Sequence, residues 1–163
     1  MSGRQFSLLA ELPPSILLPA AGDAAGRTGR YASLKNAIKA FVVVEVNQGN
    51  AATVQVSILQ AKDVSGTGSK AINASPISLI NDTSTIDAFT AQTAAASFTT
   101  DASLKDKLIV FEILPEAALD VNNGFRTIAV QTGASNAANV TGAKLVYVAS
   151  IKALGASLPS TFN

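Results

Sequence analysis

The apolar positions of this chain fall into short runs of strand length. Residues 39–46 read KAFVVVEV, a β-branched run that is apolar on both faces, as expected for a strand in a sandwich core. Residues 53–58 alternate strictly, with Val54, Val56 and Ile58 on one face, which predicts a second strand. Because the turn-forming segment NQGN follows the first run, the pattern predicts an antiparallel hairpin.

Further runs predict the remaining strands. They are KLIVFEIL at 107–114 and the segments 125–131 and 144–152, with weaker candidates at 77–81 and 96–100. Residues 87–96, DAFTAQTAAA, are predicted to form a short helix or a long loop. Turns rich in Asn and Gly separate the runs. The predicted fold is therefore all-β, an antiparallel, jelly-roll-like β-sandwich over residues 31–152.

Both ends of the chain are predicted to lie outside this sandwich. Residues 1–30 contain three prolines and a Gly-rich run, which predicts an extended N-terminal arm, and residues 153–163 are predicted to form a C-terminal tail. The arm has too many apolar residues for a solvated tail, so it either covers an edge of its own domain or docks on a neighbouring subunit. The candidate capsid or subunit interface is its apolar and basic set: Arg4, Phe6, Leu8, Leu9, Leu12, Ile16, Leu17, Leu18, Arg27 and Arg30.

Composition narrows the classes of function. The chain has neither Cys nor His, so disulfides, the commonest metal ligand and most catalytic triads are excluded. Twelve basic and eleven acidic residues nearly cancel and predict no nucleic-acid partner. No segment approaches the roughly 20 apolar residues of a membrane span, so no membrane partner is predicted. We expect a protein that is not an enzyme and has no cofactor and no metal.

Three patterns invite a chemical interpretation and fail on spacing or context. The run SGTGSK at 65–70 lacks the spacing of a phosphate-binding loop and is better explained as a hairpin loop. The run DVNNG at 120–124 begins like a calcium loop, but its glycine comes one position early, so a turn is predicted. Glu112 with Glu116 or Asp120 could form a carboxylate pair, but a solvated rim is the stronger expectation.

Several segments carry a resemblance to a known family. They are YASLKN at 31–36, NQGNAATV at 47–54, QAKD at 60–63 with GTGSKA at 66–71, LDVNNGF at 119–125 and TGASNAAN at 132–139. Together these segments resemble the small decoration or cement proteins on the heads of tailed bacteriophages. The resemblance covers residues 22–150 and leaves out the first twenty residues.

The resemblance implies a structural virion protein on the surface of the phage head, assembled in the host cytoplasm. Its implied partner is the major capsid protein, whose lattice it would stabilise, and it would form a homo-oligomer, a trimer first and a dimer second. Two other functions stay open. One is a tail-tube or other self-assembling subunit, and the other is a receptor- or carbohydrate-binding head-fibre sandwich, for which the chain offers few aromatic residues.

Overall fold

The computed structural model of the protein describes residue 12 and residues 14–149. The regular secondary structure of this part of the chain is nearly all β-strand, with one four-residue helix, α1 (Pro115–Ala118), and one 3-10 turn, Val121–Asn123. Its strands are β1 (Pro14–Gly22), β2 (Arg27–Thr28), β3 (Ala32–Ser33), β4 (Ala37–Gln48), β5 (Gln55–Ala61), β6 (Lys70–Ala71), β7 (Ser75–Ile80), β8 (Thr90–Ala95), β9 (Ser97–Thr99), β10 (Asp106–Ile113), β11 (Thr127–Thr132) and β12 (Asn139–Ala149).

The strands form two antiparallel sheets that pack face to face. Sheet A has the order β1-β12-β4-β10-β7-β8. Sheet B has the order β2-β11-β5-β6, with β3 also paired to β11 and β9 also paired to β5. The predicted all-β sandwich is confirmed, whereas its jelly-roll connectivity stays a prediction.

The core lies between the two sheets and follows from strand alternation. On β4, Val42 and Val44 point inward and are fully buried, and the fully buried Ile58 of β5 and Val130 of β11 come from sheet B. Each such side chain contributes roughly 1.5–3 kcal/mol when it leaves water. The inward faces of the strands are therefore enough to hold the two sheets together.

The predicted hairpin of residues 39–58 is wrong. Strand β4 pairs with β10 and β12 in sheet A, whereas β5 pairs with β11, β6 and β9 in sheet B. The loop between them therefore crosses from one sheet to the other, and Val54 at its end is buried with its amide bonded to Thr100 Oγ1 at 2.9 Å. A short polar loop can connect two strands of one sheet or cross between two packed sheets, so the loop sequence does not distinguish a hairpin from this arch.

The predicted N-terminal arm also needs correction from residue 14 onward. Strand β1 pairs with β12 along the edge of sheet A, from Pro14 opposite Val146 to Gly22 opposite Val140. Strand β2 then joins sheet B. The sandwich therefore already includes residue 14 and does not start at 31, because Pro14 and Pro19 fall on an edge strand, where proline is tolerated. The predicted tail, 153–163, lies outside the described residues.

Two further predictions concern regions with loop-like sequences, and the structure supports only one of them. Residues 90–95, predicted as helix or loop, instead form β8, which pairs with β7. The run SGTGSK lies between the paired strands β5 and β6, as a hairpin loop should. Gly66 and Gly68 in this loop have φ values of 84° and 69°, a backbone conformation that favours glycine.

Candidate functional site

The structure divides the predicted interface residues into four groups, the last of which is the pair Arg27 and Arg30 described below. Four of them lie outside the described residues: Arg4, Phe6, Leu8 and Leu9. Leu12 is partly exposed and Ile16 is 48% exposed. Leu17 and Leu18 are buried in the core of their own domain, so these two side chains are not available to a partner and their prediction as interface residues is corrected.

Arg27 is committed to contacts within its own domain. Its guanidinium donates two hydrogen bonds to Oδ1 of the fully buried Asp23, at 3.2 and 2.8 Å. It also donates to the carbonyl oxygens of Pro19, Ala21 and Thr141. Because a charged pair with several satisfied donors fixes both side chains, this arginine locks the chain where it leaves β1.

Arg30 supports the same strand nearer its start. Its backbone N–H donates to the carbonyl of Leu17 at 3.0 Å, and its Nε donates to the carbonyl of Ile16 at 3.0 Å. Together with Arg27, it occupies carbonyl groups of β1, which lies at the edge of sheet A. Such capping protects an edge strand from pairing with other chains.

The outer face of sheet A carries an apolar surface that was not predicted. Residues that alternate with the buried positions point outward, and cross-strand register places Val43 beside Val110 and Phe41 beside Val146. We call the outward apolar residues of this face the outer stripe: Ile16, Phe41, Val43, Leu108, Val110 and Val146, all partly or largely exposed. The KAFVVVEV run signalled this stripe, but its apolar character on both faces suggested burial on both.

Two ion pairs lie across the outer stripe. Lys144 pairs with Glu45 at 2.9 Å, and both side chains are more than half exposed. Lys39 pairs with Glu112, and its Nζ lies 5.2 Å from the centre of the Phe41 ring. Exposed pairs of this kind contribute little to stability. They give an apolar surface a polar frame, a combination found at protein interfaces.

A groove opens at the end of the sandwich where β1 begins and β12 ends. It has a volume of about 550 Å³ and is lined by the start of β4 and by helix α1. Its apolar walls include Ile38 and Leu114, which are 56% and 48% exposed, and Lys35 and Glu116 stand at its rim. Among the described residues that line it, no nucleophile stands beside a base.

Two of the three carboxylates considered for catalysis have other partners. Glu112 pairs with Lys39, and Asp120 pairs with Lys70 at 2.7 Å. Within the described residues, no group of three acidic side chains is arranged to hold a metal ion. Tyr147 is only 3% exposed, so it offers no stacking surface for a sugar ring. No helix in the described part of the chain is long and apolar enough to cross a membrane.

A polar cluster occupies the opposite end of the sandwich. The hydroxyl of Ser84 and the ammonium of Lys105 hold the pKa of Asp82 well below its ordinary value. The hydroxyl of Ser103 has the same effect on the pKa of Asp101. These carboxylates therefore stay ionised over the whole neutral range, which suits a structural role and not proton transfer.

The segments that carry the family resemblance contact one another in the fold. Lys70 pairs with Asp120 and lies 4.2 Å from the centre of the Phe125 ring. At the other end, the buried side chain of Asn139 accepts from the amide of Asn50 and donates to the carbonyl of Ala52, both at 2.7 Å. The segments quoted for the resemblance thus include residues whose side chains connect neighbouring loops.

Comparison with known proteins gives one distant structural likeness. No family model matches the chain, and no curated protein matches it. The crystal structure of the SPBc2 prophage-derived protein YomS overlaps 83% of this chain and 92% of its own, at 10% sequence identity and a TM-score of 0.48. A likeness this distant does not decide function.

Proposed function

We propose that this protein is a structural virion protein that binds the major capsid protein lattice of a tailed phage head and stabilises it. The observation that carries the proposal is the outer stripe, a partly exposed apolar surface on the face of a sheet that otherwise meets water. Apolar patches with a polar rim commonly mark partner surfaces. The family resemblance supplies the class of partner.

In this proposal the mechanism is mass action and not catalysis. A ligand that binds only the assembled shell stabilises that state by RT ln(1 + [L]/Kd) at every site. The sandwich supplies a rigid surface for such binding, because its outer stripe lies on paired neighbouring strands of sheet A. A rigid partner loses little conformational freedom on binding.

Co-sedimentation with expanded, empty capsids that lack the protein tests this function. We expect the full chain to pellet with capsids at a saturable stoichiometry. Val43→Lys and Val110→Lys place a charge in the centre of the outer stripe and should weaken binding about tenfold or more. Asn122→Lys, in the exposed 3-10 turn, is the matched control and should bind as the wild type does.

Two outcomes would overturn different parts of the proposal. If the wild-type chain stays in the supernatant at all concentrations, capsid binding is wrong. If the two stripe variants saturate capsids with wild-type affinity while circular dichroism shows them folded, the function stands but the assigned surface is wrong.

A self-assembling tube subunit is the second candidate. The observation that favours it is β8, the edge strand of sheet A, which pairs only with β7 among the described residues. Sedimentation velocity of the purified chain separates the two candidates, because a tube subunit forms open-ended polymers whereas a decoration protein forms a small discrete species.

A further inference from the structure

The two edges of sheet A differ sharply. At one edge, the side chains of Arg27 and Arg30 bond to the carbonyls of β1. At the other edge, most residues of β8 are exposed, and residues 88–100 contain no charge, no Pro and no Gly. Natural edge strands are commonly blunted by charges, by Pro or by a cover. In the described part of the chain, β8 has none of these.

The core is also incompletely covered beside β8. Leu79 on β7, Ala95 at the end of β8 and Phe98 on β9 pack against the core but stay partly exposed. Thr90 and Gln92 have the same facing as core residues of β7, because they pair with Leu79 and Ile77, yet they are small or polar. An added strand with one apolar face would extend sheet A and cover this opening.

The chain contains a segment of that pattern ahead of β1. Apolar residues recur at every second position from Phe6 through Leu8 and Ala10 to Leu12, the period of a strand with one apolar face. The alternate positions are Ser7, Leu9 and Glu11, so the opposite face is mixed, with two polar residues that suit solvent and one apolar residue. We call residues 4–12 the donor segment.

The donor segment cannot pair along β8 of its own domain. Strand β1 and strand β8 are the opposite edges of the six-stranded sheet A, so they are separated by about 24 Å, five spacings of about 4.8 Å. Leu12 is two residues from Pro14 and therefore stays within about 7 Å of β1. Only the β8 edge of another copy can receive the whole segment.

We propose that the donor segment of one copy adds as a strand to the β8 edge of a second copy. Backbone hydrogen bonds would supply affinity, and Phe6, Leu8 and Leu12 would cover Leu79 and Phe98. Reciprocal exchange gives a dimer, and head-to-tail exchange gives a closed ring such as a trimer. This inference concerns contacts between copies and holds whether or not the protein binds capsids.

Complementation between two full-length variants tests the proposal. The segment variant carries Phe6→Lys and Leu8→Lys and keeps its β8 edge. The edge variant carries Ala91→Lys and Thr93→Lys, both at exposed positions, and keeps its donor segment. A control carries Ala24→Lys and Ala25→Lys in the exposed corner after β1. Circular dichroism and thermal melting establish that all variants are folded.

Light scattering after size exclusion measures the assembly. We expect the wild type and the control to form the same small oligomer, and each of the other variants to be monomeric, with association weakened roughly a hundredfold or more. Mixing the segment variant with the edge variant should restore a 1:1 complex, because one intact segment then meets one intact edge. Amide exchange at residues 90–95 should slow in that complex.

Other outcomes would overturn the proposal. A wild-type monomer up to high micromolar concentration would do so, as would a segment variant that keeps the wild-type oligomer. Loss of the oligomer in the edge variant alone would indicate direct pairing of two β8 strands. Two monomeric variants that form no complex when mixed would also contradict strand donation.

Discussion

The Nζ atom of Lys107 lies 3.0 Å from Oε1 of Gln48 in the interior of the sandwich, where both residues are buried. The ammonium also donates to the carbonyl of Ser103 at 2.6 Å and lies 3.3 Å from Oδ1 of Asp101. Gln48 in turn donates to the carbonyls of Ala52 and Asp101. A buried cation thus joins β4 and β10 to the two loops that follow β4 and precede β10.

Removing this cation should destabilise the fold in two steps. Lys107→Met keeps most of the buried stem but removes the ammonium, and we expect a loss of about 1–2 kcal/mol. Lys107→Ala also leaves a cavity and should cost roughly 3–4 kcal/mol. Urea unfolding measures both. An alanine variant as stable as the methionine variant would show that the stem is not packed as described.

Truncation of two neighbouring residues on β1 should affect stability to very different extents. Leu17 is fully buried whereas Ile16 is 48% exposed. Leu17→Ala should therefore lower the free energy of unfolding by roughly 2–5 kcal/mol, and Ile16→Ala should change it by about 0.5 kcal/mol or less. Equal small effects in thermal or urea melts would mean that β1 does not belong to the folded domain.

The lock formed by Arg27 and Asp23 should control the opening of β1. Arg27→Ala leaves the buried carboxylate of Asp23 without its charged partner, and we expect a loss of roughly 2–4 kcal/mol. Amide exchange should accelerate most in β1 and its partner β12. Arg126→Ala, at an exposed arginine with one long hydrogen bond, is the control and should be nearly neutral. A uniform acceleration across both sheets would argue against a local lock.

Alanine substitutions at two glycines should distinguish a position where a side chain has no space from one where only the backbone conformation favours glycine. A Cβ on Gly29 would lie 2.2 Å from the carbonyl oxygen of Leu17, so Gly29→Ala must push β1 away and should cost about 3 kcal/mol. Gly124 has φ of 85° but open space around its Cα, so Gly124→Ala should cost only about 1 kcal/mol. The ranking of the two melting temperatures checks this, and a reversed order would contradict it.

Acid should weaken the polar end of the sandwich. The pKa of Asp82 is lowered in the folded protein, first by the Ser84 hydroxyl and then by Lys105. A lowered folded pKa means that the ionised carboxylate stabilises the fold above the unfolded value of about 3.9, and this stability is lost as pH falls below it.

The midpoint of urea unfolding, measured from pH 6 down to pH 2, checks this prediction. These limits lie about two pH units above and below the pKa of the carboxyl in the unfolded chain. Asp82→Asn should show a smaller decline with acid than the wild type, because it has no carboxylate to protonate. Asp87→Asn, at a nearby exposed aspartate, serves as the control and should follow the wild type. Identical declines in all three proteins would show that Asp82 does not contribute.

Strand alternation explains why much of the fold was predictable. The runs that became β4, β5, β10 and β12 contain β-branched residues whose buried positions alternate with more exposed ones, whereas β11 is buried at five of its six positions. What alternation does not encode is the partner of each strand. Val44 on β4 and Val56 on β5 enter the same core from different sheets, and a hairpin would have buried both as well, so the burial pattern does not distinguish the two arrangements.

The edges of sheet A were the least predictable part. Strand β8 consists of Thr, Ala and Gln, so its strand conformation comes from pairing with β7 and from the turn into β9, not from local preference. Strand β1 was hidden by its prolines, and its anchor is a pair of residues, Asp23 and Arg27, that the sequence places in an ordinary Gly-rich run. Only tertiary contacts reveal that both edges belong to the sheet.

The start of β1 and the end of β12 lie side by side, and this placement determines how the domain responds to a pulling force. Because β1 begins opposite Val146, close to the end of β12, a force applied through both chain ends pulls these two antiparallel strands apart from the same end. Their hydrogen bonds then break one after another, rather than all at once as they would if the strands were sheared. Opening would run along β1 until it reaches Asp23 and Arg27, which act as the stop. Under a load applied through its two ends, the domain would yield gradually and close again when the load is released.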